Sequence, residues 1–278
     1  MRRSLLLLLG LAIAAVLFGL AGAVQDPVVA RYTVPLPGLE RPVKVVQLSD
    51  FHASRFDMPP ARIRRIVAMA NARRPDLIVV TGDFISGYPE DWTVAEARTA
   101  LAPLADLKAP LGVFAVLGNH DDPALLKAAL AGTGVQLLVA ESRDIGPFTI
   151  VGADDLLAGQ NAVASLNNAV EAVPPGKPII AMGHEPEFMQ WLPKPVSLLI
   201  AGHTHGGQIL LPLLGTVPHN AYIDSHLRGL YREHGQTLVV SSGLGTSVVP
   251  FRIGVTPEIA EIALVPDHSV GRNSGTDR

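Results

Sequence analysis

Cysteine is absent from the 278 residues. Without thiols the chain has neither a disulfide framework nor thiolate metal ligands, so any bound metal must be held by His, Asp and Asn. A surplus of positive charge is missing too. The formal net charge is −3 with Arg2 and Arg3 counted and about −5 without them, which argues against non-specific nucleic-acid binding. Internal repeats and low-complexity blocks are also lacking. What is present is long enough for one large α/β domain with a full core, or two small ones.

Five times an apolar run ends in a small residue followed at once by a metal-capable side chain. The runs lead to Asp50, Asp83, Asn119, His184 and His203. Short Val/Ile/Leu-rich runs of this kind read as strands buried on both faces, as in parallel or mixed sheets covered by helices. Sites in such sheets gather outside the carboxyl ends of the strands, so each candidate ligand is expected at the same rim. Glycine stands at four of the five junctions, where it permits a sharp turn and the close approach of another group.

Arg2 and Arg3 precede an uncharged apolar stretch from Leu5 to Val24, enough to cross a bilayer as one helix. Arginines on its N-terminal side place that end in the cytoplasm and the rest outside. Two outcomes stay open: a retained anchor in residues 1–24, or a signal peptide cleaved near the small residues Ala21, Gly22 and Ala23. The first puts the remainder on the outer side of the cytoplasmic membrane, the second makes it periplasmic or secreted. Residues 25–40, with three prolines, read as a linker leading to a first, partly extended segment.

Strand and helix patterns alternate through residues 41–266. Strands are expected at 43–48, 77–81, 112–117, 135–139, 148–151, 179–182, 198–201, 238–241 and 258–265. Helices are expected at 61–73, 93–104, 123–131 and 162–173. This is an α/β pattern. Residues 267–278 are polar and aperiodic, and read as a disordered tail.

Asp50 and His52 are one residue apart, as are His203 and His205. In extended backbone such pairs point to one face and can present two ligands together. Carboxylate, imidazole and amide suit a divalent ion such as Mn, Fe or Zn. With Asp83, Asn119 and His184 the candidates number seven, more than one ion needs, which suggests two metals.

Asp50-Phe-His52, Gly82-Asp83, Gly118-Asn119-His120-Asp121, Gly183-His184 and Gly202-His203-Thr-His205 together resemble, in order and spacing, the motif set of the calcineurin-like metallophosphoesterases. The stretch GHTHGGQ at 202–208 and the later SSGLGTS with Pro257-Glu258-Ile259 are similar to the bacterial membrane-associated or secreted phosphodiesterase branch. The resemblance implies a four-layer sandwich of two mixed β-sheets flanked by helices. It implies that Asp50, His52 and His205 hold one metal, that Asn119, His184 and His203 hold the second, and that Asp83 bridges them. It implies a catalytic His120 beside the scissile phosphate and attack by a metal-bridging hydroxide. The expected activity is hydrolysis of a phosphodiester or pyrophosphate of membrane or envelope origin, with a lipid-linked phosphoester among the expected substrates. The alternatives are a phosphomonoesterase and a non-catalytic scaffold of the same fold.

Other motifs are weaker. His184-Glu185 would begin a zinc-peptidase motif, yet the fifth position is Phe188 and Pro186 breaks the helix it needs. A metallo-β-lactamase-like run fails because Gly207 and Gln208 follow His205 in place of a carboxylate and an imidazole. Asp122 before Pro123 reads as a helix cap. Asp121 is an orienting candidate. His219, His226 and His234 read as surface or rim residues; Tyr222, Arg228 and Tyr231 are candidates for substrate contact, with ordinary packing or exposure the favoured reading, and Arg252 is undecided between the two.

Overall fold

The computed structural model describes residues 2–156, 161–211, 213–217 and 225–267. His219, Tyr222 and residues 268–278 of the expected tail lie outside them. Helix α1 (Arg2–Val24) is apolar all round and, over Ser4–Val24, is long and apolar enough to cross a membrane.

Two six-stranded mixed sheets pack face to face. The first contains β1 (Val28–Leu36), β2 (Val43–Leu48), β3 (Leu77–Thr81), β4 (Val113–Val116), β5 (Val135–Leu137) and β14 (Glu258–Pro266), in the order β1-β14-β2-β3-β4-β5. Strands β2 to β5 run parallel, and β14 is antiparallel to β2. The second contains β6 (Glu141–Asp144), β7 (Thr149–Gly152), β8 (Ile179–Met182), β9 (Val196–Ala201), β12 (Gly229–Glu233) and β13 (Gln236–Val240), in the order β12-β13-β9-β8-β7-β6. Its four inner strands are parallel and both edges antiparallel. A short hairpin, β10 (Leu210–Leu211) with β11 (Gly215–Thr216), stands apart from both sheets.

Period-two alternation of apolar residues builds the layers. Val45, Leu77, Val79 and Val116 point inward to meet Ile180, Met182, Leu198 and Ile200 of the facing sheet. Their neighbours Val46, Leu48, Ile78 and Val80 point outward onto α2 (Pro60–Ala72), α3 (Val94–Leu101) and α4 (Pro123–Ala129). On the far side Ala181, Leu199, Leu238 and Val240 pack under α5 (Ala162–Glu171). Both faces of each sheet are therefore dry. Such strands read as continuous apolar runs, which is why they are legible in the sequence.

One stretch differs from its sequence reading. The segment 25–40, expected as a linker, contains the nine-residue strand β1, paired in parallel along its whole length with β14. Tyr32, Val34 and Leu36 alternate toward the core. Pro35 is tolerated because β1 is an edge strand, where one N–H of each pair has no ladder partner to find.

Candidate metal centre

The carboxyl ends of β2, β3, β4, β8 and β9 open onto one rim, and the residues that follow them converge there. Asp83, after β3, is buried at the middle of the group. Its Oδ2 lies 3.2 Å from His52 Nε2 and 3.3 Å from His184 Nε2. On one side of it, His52 Nε2 and His205 Nε2 are 3.1 Å apart, and His205 Nε2 is 3.6 Å from Asp50 Oδ1. On the other side, His203 Nδ1 lies 3.1 Å from Asn119 Oδ1 and 3.2 Å from His184 Nε2, and His184 Nε2 lies 3.2 Å from Asn119 Oδ1. All seven candidate ligands are thus brought together, in two clusters that share one carboxylate oxygen.

These spacings fit metal ligation. Two donors each about 2.1 Å from one ion and about 90–110° apart lie roughly 3.0–3.4 Å from each other. Backbone partners also set the tautomers. His184 Nδ1 donates to Thr81 O at 2.8 Å, so Nε2 is the nitrogen directed at the cluster. Donor atoms of Asp50, His52, Asp83 and His205 all lie within 4.8 Å of one another.

The backbone delivers these side chains differently from the sequence expectation. Asp50 and His52, like His203 and His205, do not share a face through extended backbone. Asp50, His52, Asp83, His203 and His205 all have positive φ, between 44° and 70°. The chain leaves each strand through tight left-handed turns that aim each side chain individually. Non-glycine residues held there store strain, and such positions cluster at functional sites. Gly82 makes the crowding possible: at φ +83°, a Cβ on it would stand 2.7 Å from Gly118 N and 2.6 Å from His184 Nδ1.

Electrostatics bind the two clusters into one unit. Burial pushes the Asp83 carboxyl up, but the His184 and His52 charges outweigh it and hold it well below the usual range. Burial disfavours charge on His184, yet Asp83 more than offsets this and raises it well above an ordinary imidazole. His205 is pushed well below by burial, by His52 and by Arg252. A cluster that mixes anionic and neutral donors in this way is suited to a divalent cation, whose charge favours the deprotonated form of every ligand.

Residues 43–207 match the family model described as calcineurin-like phosphoesterase. The chain belongs to that family. This phosphoesterase is 30% identical to the uncharacterized metallophosphoesterase YkuE of Bacillus subtilis, over 80% of this chain and 78% of that protein. It is 29% identical to the phosphodiesterase YaeI of Escherichia coli, over 81% and 83% of the two chains. It is 31% identical to a transmembrane protein with metallophosphoesterase domain from Danio rerio, where the match takes in 95% of this chain but 63% of that protein. It is a metal-dependent phosphoesterase.

His120 stands at the rim of the phosphoesterase centre. Its backbone N–H donates to Asp83 Oδ1 at 3.0 Å, its Nδ1 donates to Gly87 O at 2.6 Å, and its ring meets that of His52 edge-on. Gly87 also lines a cavity of about 640 Å³ with Arg55, Pro60, Trp92, Ala95 and Glu96.

Several residues around the centre have structural duties. Asp121 accepts from Phe84 N at 2.9 Å and from Gly118 N at 3.0 Å, tying together the loops that carry Asp83 and Asn119; burial and the Asp83 charge raise it to about 7. Asp122 caps α4 by accepting from Leu125 N at 2.7 Å. His226 pairs with Glu233 at 2.8 Å, and the Tyr231 hydroxyl donates to Arg228 O at 2.9 Å, so these residues brace one another in and beside β12.

Two residues matter more than their sequence context suggests. Arg252 is fully buried and donates to Gly245 O at 2.7 Å, Ser242 O at 2.8 Å and His205 O at 3.3 Å; burial lowers it to about 10. Gln47 points into the space between the sheets and donates to Thr81 Oγ1 at 2.9 Å and Ala201 O at 2.7 Å, linking β2 to β9 directly beneath the metal-binding rim. A polar residue at an inward position of a fully buried strand is the signal that marks Gln47 in the sequence. Arg252, in a loop, has no such signal.

Proposed function

We propose that Asp50, His52 and His205 hold one divalent ion, that Asn119, His184 and His203 hold a second, and that Asp83 bridges them in the hydrolysis of a phosphodiester or pyrophosphate. The observation that carries this reading is the position of Asp83 Oδ2, within 3.3 Å of a histidine from each cluster. When bound, the ions polarise phosphoryl oxygens and lower the pKa of coordinated water, with Mn, Fe or Zn suited to this donor set.

The chain's own residues supply the rest. His120 has Nδ1 committed as a donor to Gly87 O, so its Nε2 is left to carry and release a second proton to the leaving oxygen. Its backbone contact with Asp83 fixes it against the ligand cluster. The cavity lined by Gly87, whose carbonyl accepts from His120 Nδ1, is read as room for a substituent on the phosphate, which favours a diester or pyrophosphate over a small monoester. The similarity to a protein named as a phosphodiesterase supports the same choice.

Helix α1 is read as a membrane anchor, with the catalytic domain on the outer side of the cytoplasmic membrane and the substrate presented near that surface. Its length and apolar character support this, as do the arginines at its start.

The test is a substrate panel with the purified full-length chain in detergent, loaded with Mn, Fe or Zn in turn. Turnover of bis-p-nitrophenyl phosphate or a nucleotide pyrophosphate should exceed that of p-nitrophenyl phosphate. Preference for the monoester would replace the proposal with a phosphomonoesterase, and inactivity with every metal on every substrate would leave a binding scaffold.

A further inference from the structure

The apolar surface of this chain does not end with α1. Gly19 O accepts the backbone N–H of Arg252 at 3.0 Å, and a Cβ on Gly19 would meet the Phe251 ring at 2.9 Å. Gly22 is pressed closer still against the Arg252 carbonyl. The last turns of the helix are therefore docked, through a face without side chains, on the loop 247–252. That loop is tied in turn to the hairpin β10–β11. The Gln208 amide donates to Ser247 O at 3.0 Å and accepts from Ser247 N at 2.8 Å, and Leu210 N donates to Ile253 O at 2.8 Å.

Both loops display apolar side chains to solvent. Val248 is 98% exposed, Leu214 76% and Leu213 fully so, with Val217 and Val249 beside them. Residues 208–217 and 243–251 contain no charged side chain. Val248 and Leu213 also sit at φ 62° and 68°, where glycine or asparagine would be both less strained and better hydrated. In water, nothing in these side chains compensates for that backbone.

Their depth can be judged from the helix. Gly19 lies five residues, about 7.5 Å of helix rise, before the end of α1 at Val24. A loop packed at that level of a membrane-spanning helix falls in the headgroup and acyl boundary, the roughly 5–10 Å zone in which interfacial apolar residues settle.

We propose that residues 209–211 and 213–217 and the loop 247–251 form a bilayer-seating surface continuous with α1. The proposal rests on the reading of α1 as a membrane helix. The same loop delivers buried Arg252 to His205 O at 3.3 Å, so the metal-binding rim is held at a fixed height above the seated surface. A phosphoester at headgroup depth could then reach the site by lateral diffusion, without leaving the lipid.

The cysteine-free chain allows a direct test. The full chain is labelled with one environment-sensitive fluorophore at Leu214→Cys or Val248→Cys, with Leu11→Cys in α1 and Glu171→Cys on α5 as references. Each variant is reconstituted into vesicles of phosphatidylethanolamine and phosphatidylglycerol. Labels at 214 and 248 should lose most of their emission to a lipid-borne nitroxide and little to aqueous iodide, whereas the label at 171 should show the reverse. Iodide quenching at 214 and 248, with the label at 11 quenched by lipid, would overturn the seating surface while leaving the anchor intact. Protection from both quenchers would overturn it in favour of a second copy of the chain covering this face. A label at 11 that escapes the lipid nitroxide would overturn both the anchor and the seating surface, and the detergent assay on soluble diesters would still stand as a separate test of catalysis.

Discussion

Asp83 holds His120. The carboxylate Oδ1 accepts the backbone N–H of His120 at 3.0 Å, while Oδ2 of the same group faces His52 and His184. One residue thus joins the ligand cluster to the side chain proposed to serve the leaving group, and substitutions on the two sides of this bond should have separable effects.

His120→Ala keeps the backbone N–H bond to Asp83 and removes only an edge-on ring contact with His52, so metal content should stay near normal. Turnover should fall by about 10²–10⁴-fold, most steeply for poor leaving groups that need a proton. A leaving-group series with metal analysis on the same samples checks this. Equal losses across the series would reassign His120 to phosphate positioning, and lost metal would make it a ligand.

Gly82→Ala should damage the fold and the site together. A Cβ there meets the Gly118 backbone at 2.7 Å in a left-handed turn that alanine disfavours. Overpacking and the φ penalty together should cost about 2–4 kcal/mol. Denaturant or thermal melts measure the cost, and a variant as stable as the parent would contradict the packing described here.

Arg252→Met keeps an apolar stem but leaves the carbonyls of Gly245, Ser242 and His205 without their shared donor. Buried acceptors stripped of a partner should destabilise the protein by about 3 kcal/mol. At this chain length that is a melting temperature lower by on the order of 6–12 °C. Arg252→Lys should recover part of the loss, because one ammonium cannot reach three carbonyls. No change in melting for either variant would show that the guanidinium is dispensable.

Membrane orientation is open to a simple check. Reporters fused after Val265 should be active when the reporter works only outside the cytoplasm, given Arg2 and Arg3 ahead of the apolar stretch. Activity of a cytoplasm-only reporter at the same position would reverse the assignment.

Much of this fold was legible in the sequence, for a physical reason. Strands such as Leu77–Thr81, Val113–Val116 and Ile179–Met182 are buried on both faces, so each reads as a nearly unbroken apolar run with its own end signals. Of the four sheet edges only Val135–Leu137 was legible. Glu141–Asp144 and Gly229–Glu233 pair on one side only and keep polar or half-buried side chains, and Val28–Leu36 is interrupted by a proline that only an edge strand tolerates. Five of the candidate ligands could be named because each ends an apolar run, and His52 and His205 because each lies two residues beyond one of those, but the manner of their delivery could not. Left-handed backbone at Asp50 or His205 is imposed by the loops packed around it and leaves no mark in a sequence that carries no glycine at those positions. Arg252 stayed hidden likewise, since its burial depends on carbonyls contributed by residues 205, 242 and 245.

The most direct test of the central claim is the metal stoichiometry of the full-length chain and its Asp83→Asn variant, measured by elemental analysis after loading with Mn, Fe or Zn. The account predicts two ions per chain in the parent and strong loss at both sites in the variant, because Oδ2 of Asp83 faces histidines of both clusters. A parent that binds one ion, and an Asp83→Asn protein that keeps it, would contradict the bridged two-metal centre.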